Sequence, residues 1–250
     1  MIRAVIIDDE RNSRDIISLM LQRYCPDIEA VAQAGNCREG IAQIREQRPQ
    51  LVFLDLEMPD GTGFDVLTGA YDSTFETIFV TAFEKRYLHT IRFSEVELIL
   101  KPIDRESLQQ AVQAIRQRLG SPGRHERYDV LLHNFGKTTR DVHQIVIPLS
   151  GGGEFVASVE NIAYVEGGPD KTLFSLSNGD LLQSRRPFRY YTELFAGMRF
   201  YQVNNHQMVQ LPHIHHIDHE RLQLHLHNQS VLDITERRKR ELASVWRQQA

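Results

Sequence analysis

The chain has 250 residues, of which 41% are hydrophobic and 25% charged, a globular composition with room for two domains. No apolar run approaches the roughly 20 residues a membrane span needs. The N-terminus turns acidic at Asp8-Asp9-Glu10, unlike a secretory leader. Two cysteines, Cys25 and Cys37, make no disulfide framework, so a reduced, cytoplasmic protein with no membrane contact is expected. The net charge of −4 is uneven: residues 1–119 carry 14 Lys/Arg against 19 Asp/Glu, and residues 120–250 carry 15 against 14. Ten of the eleven histidines fall in the second part. Two parts with different charge suggest two jobs, and the second is too weakly basic for charge alone to mark a nucleic-acid binder.

In chain order, Arg3–Ile7 is a short apolar strand ending in Asp8-Asp9-Glu10. Asn12 or Ser13 can cap a helix to about Tyr24, with Ile16, Ile17, Met20 and Leu21 at helical spacing. Strand Ile28–Ala34 and a helix over about 37–47 follow. Leu51–Leu54 is a continuous apolar run that meets Asp55 and then the turn residues Pro59, Asp60, Gly61 and Gly63. Such a run reads as a strand buried on both faces. A carboxylate at its end is costly unless something pairs with it. A helix begins near Phe64, a strand spans Thr77–Thr81, and a helix covers Glu84–Arg92. Strand Val96–Leu100 ends in Lys101-Pro102, and Asp104 caps a last helix to about Leu119. Five strands alternating with five helices predict an α/β doubly wound, five-stranded parallel sheet of flavodoxin-like type.

The strand ends then share one chemistry, because ligands of open α/β sheets bind at the carboxyl ends of the strands. Asp8, Asp9 and Asp55 repel one another unless a hard cation sits among them, and a few carboxylate oxygens plus waters suit Mg²⁺. A lysine ammonium (Lys101) and a hydroxyl (Thr81) beside them can hold phosphoryl oxygens. Such a set describes an acceptor site in which a carboxylate takes a phosphoryl group. Asp8-Asp9, Asp55 with Met58-Pro59 and Gly63, Thr81-Ala82 and Lys101-Pro102 together resemble the receiver domain of two-component response regulators. The resemblance covers residues 1–119 and implies a CheY-like fold with Asp55 as phosphoacceptor for a sensor histidine kinase. It implies Mg²⁺ held by Asp8, Asp9, Asp55 and the backbone carbonyl of Glu57, contacts from Thr81 and Lys101 to the phosphoryl group, and a cis Lys101–Pro102 bond. Receivers often carry an aromatic residue three places before the lysine. Here that place is Leu98, which leaves backbone shifts to carry the signal.

Gly120-Ser121-Pro122-Gly123 opens a stretch of linker composition, and residues 120–142 are expected to be the linker. From 143 to 250 the pattern is short β segments, with Asn178-Gly179 as the strongest hairpin signal and a basic helix over Glu236–Gln248 at the end. Val159-Glu160-Asn161-Ile162-Ala163-Tyr164-Val165-Glu166, Phe200–Asn205, Met208-Val209-Gln210 and Ile234–Leu242 resemble the LytTR type of DNA-binding domain. That resemblance implies loops entering the major groove of double-stranded DNA at tandem half-sites. Contacts are expected from Asp170 and Lys171, from Asn204 and Asn205, and from Thr235 through Arg237, Arg238 and Lys239. Asn can read an adenine edge and Arg a guanine edge. The family commonly has a His-Arg or His-Lys pair at Asn204-Asn205 and Ser-Arg-Arg at Thr235-Glu236-Arg237, so fewer phosphate contacts and a weaker salt dependence are expected here.

The combined reading is a phosphorylation-controlled transcription regulator that dimerises on phosphorylation. The alternative is a signalling adaptor whose β domain binds a protein. No enzyme is expected, because no Walker loop or nucleophile elbow occurs. His213, His215, His216, His219, His225 and His227 invite a metal reading. Strand alternation instead expects exposed histidines, with His213 and His215 on one face and His216 on the other.

Overall fold

The computed structural model describes all residues except 73, 83–84, 120–123, 138–140, 169–170 and 248–250, and side chains also except at 85–87, 124–125 and 247. Expectations at Glu84, Asp170 and Gln248, and at the Gly-Ser-Pro-Gly stretch, lie outside the described residues. The chain forms two compact units, one of residues 1–92 and 96–124 and the other of residues 93–95 and 125–250.

In the first unit, strands β1 (Ile2–Ile7), β2 (Ile28–Ala34), β3 (Leu51–Leu54), β4 (Glu76–Thr81) and β5 (Glu97–Leu100) form one parallel sheet in the order β2-β1-β3-β4-β5. Helices α1 (Arg11–Tyr24), α2 (Cys37–Gln47), α3 (Gly63–Gly69), α4 (Lys85–Phe93) and α5 (Arg105–Arg118) connect them. Side chains alternate across a strand. Ala4, Ile6, Leu51, Phe53, Ile78, Val80 and Ile99 thus share one core with Ile17 and Leu21 of α1 and Leu108, Val112 and Ile115 of α5. On β1 the intervening Val5 and Ile7 are also fully buried. Both faces are covered, which is why the strands read as continuous apolar runs. Ile7 lies so close to Gly40 of α2 that an added Cβ would stand 2.7 Å from its Cδ1. Asn36 caps α2 by accepting from the Glu39 amide, and Asp104 caps α5 by accepting from that of Ser107. The start of α1 differs from expectation. Its N-cap is Glu10, which makes no side-chain cap, and Ser13, an expected cap, donates to Asp8 instead.

Burial holds the His89 imidazole on α4 down at about 4, helped by the Arg92 charge. An unfolded histidine takes up its proton near pH 6.5. Stability from neutral His89 is therefore full above that value and is lost as pH falls toward 4. The first unit should unfold at lower urea at pH 5 than at pH 7. His89→Gln should shrink that gap, as urea titrations of both proteins would reveal.

The second unit begins with α6 (Arg124–Asn134). Part of the expected linker is thus a helix. Tyr128, Val130 and Leu131 are buried, Arg127 Nη1 meets both carboxylate oxygens of Glu154 at 2.9 Å, and Asn134 Nδ2 donates to the Gln144 carbonyl at 2.8 Å. These contacts seat α6 on the hairpin of β6 (Gln144–Pro148) and β7 (Glu154–Ser158). Strands β8 (Ile162–Gly167), β9 (Thr172–Leu176), β10 (Leu181–Ser184), β11 (Phe200–Gln202) and β12 (Gln207–Gln210) form an antiparallel sheet in the order β10-β9-β8-β12-β11. The expected Asn178-Gly179 turn joins β9 to β10, with Gly179 at φ +91°. One face of this sheet packs on Ile145 and Ile147 of β6 and on Tyr191 and Leu194 of α7 (Phe188–Leu194). The other face, through Ala163 and Val209, packs on a three-stranded sheet of β13 (Ile214–Asp218), β14 (Gln223–Leu226) and β15 (Val231–Asp233) and on Leu242 of α8 (Glu236–Arg247).

Candidate functional site

Three strand ends of the first unit finish level with one another because the sheet ladder continues past them. The Asp8 amide donates to the Ala34 carbonyl, the Asp55 amide to that of Ile7 at 2.8 Å, and the Lys101 amide to that of Thr81 at 2.8 Å. Asp8 and Asp55 are buried, and Asp9 is exposed. Ligand oxygens of the three lie within 4.8 Å of one another, and no other such group of His, Cys, Asp or Glu exists among the described residues. The Lys101 ammonium stands 2.7 Å from Asp55 Oδ2, 2.9 Å from Asp8 Oδ2 and 3.3 Å from Glu10 Oε2. Burial pushes the Asp55 carboxyl up despite this lysine. Burial also opposes the Lys101 charge, yet hydrogen bonds to Asp55 and Asp8 leave the ammonium more basic than usual. Lys101 is therefore a fixed positive charge in a crevice of carboxylates.

The surroundings hold these groups in place. Ser13 Oγ donates to Asp8 Oδ2 at 2.5 Å, and the Glu10 amide donates to Asp8 Oδ1 at 2.9 Å. Arg14 Nη1 donates to the Asp8 carbonyl at 2.6 Å and to that of Asp9 at 3.3 Å, which ties down the loop after β1. The Glu57 amide donates to Asp55 Oδ1 at 3.3 Å. At Gly63 an added Cβ would stand 2.6 Å from the Asp55 carbonyl oxygen, so a side chain there would displace the acceptor strand. Thr81 is buried at the end of β4, in register with Leu100, one residue before the lysine. The Lys101–Pro102 bond is cis. Leu98 is half-buried on β5 opposite Phe79. Glu10, Ser13 and Arg14 were not singled out as site residues. Their signal was local: a third acid after Asp8-Asp9, then a serine and an arginine within the first turn of α1.

In the second unit, three loops adjoin. The Gly167 amide donates to the His206 carbonyl at 2.7 Å, and the Gly168 amide to that of Lys171. Asn204 Nδ2 donates to Gln207 Oε1 at 2.7 Å and to the Asp233 carbonyl at 3.0 Å, while its Oδ1 accepts from the His206 amide. The Asn204 amide is thus spent on closing its turn and tying it to β15. Asn205 and Lys171 are exposed. Thr235 opens α8, its hydroxyl accepting from the Arg238 amide. Arg237 is exposed, with Nε 3.7 Å from Glu241. The Arg238 guanidinium lies over the Tyr201 ring. Lys239 is turned inward, its side chain 14% exposed, 2.9 Å from Glu236 Oε2 and 3.3 Å from the His219 carbonyl. Arg240 lies 3.6 Å from the same Glu236. The structure therefore leaves Lys171, Asn205 and Arg237 exposed, lays Arg238 half-buried over Tyr201, and engages Asn204 and Lys239 in hydrogen bonds within the unit.

The histidines depart from simple alternation. An irregularity between Ile214 and His216 leaves both His215 and His216 exposed. His216 stacks on His225 with ring centroids 4.2 Å apart, His215 lies 5.2 Å from His227, and His213 Nε2 is 2.7 Å from the Glu160 carbonyl.

A doubly wound α/β unit with an acidic crevice at its strand ends, followed by a mostly β unit, is the class of protein that fold and site define. Residues 4–113 match the response regulator receiver domain and residues 153–247 the LytTr DNA-binding domain. The chain thus carries a response regulator receiver domain followed by a LytTr DNA-binding domain. It is 33% identical over 119 residues to the transcriptional regulatory protein BtsR of Shigella flexneri, across 47% of this chain and 49% of that protein. It is 24% identical over 169 residues to the sensory transduction protein LytT of Bacillus cereus, across 66% of this chain and 65% of LytT. The chain thus spans about half the length of the first of these relatives. Among solved structures, the response regulator domain of Thermotoga maritima CheB is 25% identical with a TM-score of 0.42, covering 49% of this chain and 99% of that one. No helix among the described residues is long and apolar enough to cross a membrane.

Proposed function

We propose that this protein is a transcription regulator controlled by phosphorylation of Asp55. The observation that carries the reading is the Lys101 ammonium held 2.7 Å from Asp55 and 2.9 Å from Asp8 in a crevice of three carboxylates. All-oxygen donors from Asp8, Asp9, Asp55 and the Glu57 carbonyl fit Mg²⁺. When bound there, the ion neutralises charge on the transferring oxygens. An Asp55 carboxylate oxygen attacks the phosphorus of a kinase phosphohistidine. The P–N bond breaks, and its electron pair stays on the imidazole nitrogen, which then takes a proton. Lys101 moves its hydrogen bond from Asp55 to a phosphoryl oxygen, and the Thr81 hydroxyl donates to another. Phosphorylation then favours a homodimer that binds tandem half-sites of double-stranded DNA in the cytoplasm. Helix α6 belongs with the DNA-binding unit. Lys171, Asn205, Arg237 and Arg238 face the duplex, while Asn204 and Lys239 shape the loops that carry them.

Glu236 and Glu241 neutralise much of the basic run on α8, and this favours the second reading, a protein-binding adaptor. Selection from random duplex DNA, with phosphorylated and unphosphorylated protein, separates the two. Enrichment of a common sequence is expected; none in either state would leave the adaptor. Glu236→Gln removes a negative charge from beside Arg240 and Lys239. It should tighten binding to the selected duplex roughly fivefold at low salt and steepen the salt dependence, as anisotropy titrations would measure. Unchanged or weaker binding would remove α8 from the interface.

A further inference from the structure

The third ion pair of Lys101 is not explained by the three-carboxylate crevice. Glu10 Oε2 stands 3.3 Å from the ammonium, yet the Glu10 side chain is 66% exposed, where Asp8 and Asp55 are nearly closed off at 1% and 7%. Glu10 is also the N-cap of α1, at φ −80° and ψ 109°, and makes no side-chain cap. Ser, Thr, Asp or Asn is the favoured residue there, since a short side chain reaches the free amides. Here the longer carboxylate turns instead toward Lys101, while its backbone amide steadies Asp8. A residue that breaks the local rule and contacts the reactive lysine points to a role at the site.

We propose that Glu10 is a positioning and specificity residue that holds the Lys101 ammonium at the mouth of the crevice and, by its own charge, disfavours small, highly anionic phosphodonors. The proposal rests on the reading of Asp55 as phosphoacceptor. Before transfer, three carboxylates share the ammonium. Once Lys101 has passed its Asp55 hydrogen bond to a phosphoryl oxygen, Glu10 is the partner on the open side. An incoming donor must approach through that mouth, past an exposed negative charge. A doubly negative donor is repelled more than a singly negative one. A kinase phosphohistidine arrives with protein contacts of its own and is less affected. In each case the Asp55 oxygen attacks phosphorus and the electron pair of the broken bond leaves with the donor, on acetate oxygen from acetyl phosphate or on nitrogen, as ammonia, from phosphoramidate.

The test uses the full chain with saturating Mg²⁺ at fixed ionic strength. Initial rates of aspartyl phosphate formation are measured with doubly negative acetyl phosphate and with singly negative phosphoramidate, for wild type, Glu10→Gln and Glu10→Asp. One unit charge several ångströms away in a watery mouth changes the relative rate by about threefold per unit of donor charge. Glu10→Gln is therefore expected to raise the acetyl phosphate to phosphoramidate rate ratio about threefold, and Glu10→Asp to leave it near wild type. A merely structural role would change both rates by one factor and keep the ratio. An unchanged ratio in Glu10→Gln, or an equal rise in Glu10→Asp, overturns the proposal while wild type is still labelled. Absence of labelling in wild type with both donors overturns the phosphoacceptor reading itself.

Discussion

Asp55→Asn is expected to take up no phosphoryl group from a kinase or a small donor, at any Mg²⁺ concentration, while wild type becomes labelled. The amide has almost the shape of the carboxylate but lacks a free anionic oxygen to attack phosphorus. The fold should survive. The cost of burying the Asp55 carboxylate pushes its proton affinity up, and an uncharged group removes that cost. Lys101 keeps Asp8 and Glu10 as partners. Asp55→Asn should therefore melt at or above the wild-type temperature while labelling falls to background. Acid-stable gels with a phosphate stain would show the loss, and thermal melts would show that it is chemical rather than structural. Labelling of the variant at the wild-type level would move the acceptor to another residue.

The second large effect concerns α6. Arg127 and Glu154 are 4% and 8% exposed and meet in a forked contact. Breaking a buried pair by removing one partner typically costs about 3–5 kcal/mol. Glu154→Ala should lower the urea midpoint of the second unit accordingly. Arg127→Met combined with Glu154→Leu removes both charges, and should lose less than Glu154→Ala alone. If the single variant unfolds like wild type, α6 is not anchored to the β6–β7 hairpin in solution.

The first unit was legible because its chemistry sits where its secondary structure ends. An apolar run that stops at an acid, a threonine or a lysine marks both the strand and the site. Asp8, Asp55, Thr81 and Lys101 all followed that rule, and the sheet order brought their strand ends together. Ser13 could be noticed but not interpreted, since a serine near a helix start looks like a cap until Asp8 is seen to use it. Helix α6 was hidden by its neighbours. Gly120-Ser121-Pro122-Gly123 imposed a linker reading, and the buried side of the helix mixes the apolar Tyr128, Val130 and Leu131 with the polar Arg127 and Asn134. In the second unit the residue types at the loops expected to meet DNA were readable, but their availability was not. Asn204 and Lys239 have the chemistry of base and phosphate contacts. Only the tertiary hydrogen bonds to Asp233 and His219 show that both are already engaged. The faces of His215 and His216 were hidden for a similar reason, because a local irregularity in β13 breaks the period of two and leaves both exposed, as the histidines were expected to be.

The central claim is that charge added at Asp55 controls DNA binding by the second unit. The most direct measurement is the affinity of the full chain for its selected duplex, before and after phosphorylation, in wild type and in Asp55→Asn. The account predicts at least about a tenfold tightening in wild type, a coupling of about 1.4 kcal/mol, and no change in Asp55→Asn. Equal affinity of wild type in both states, or an equal gain in the variant, would contradict it.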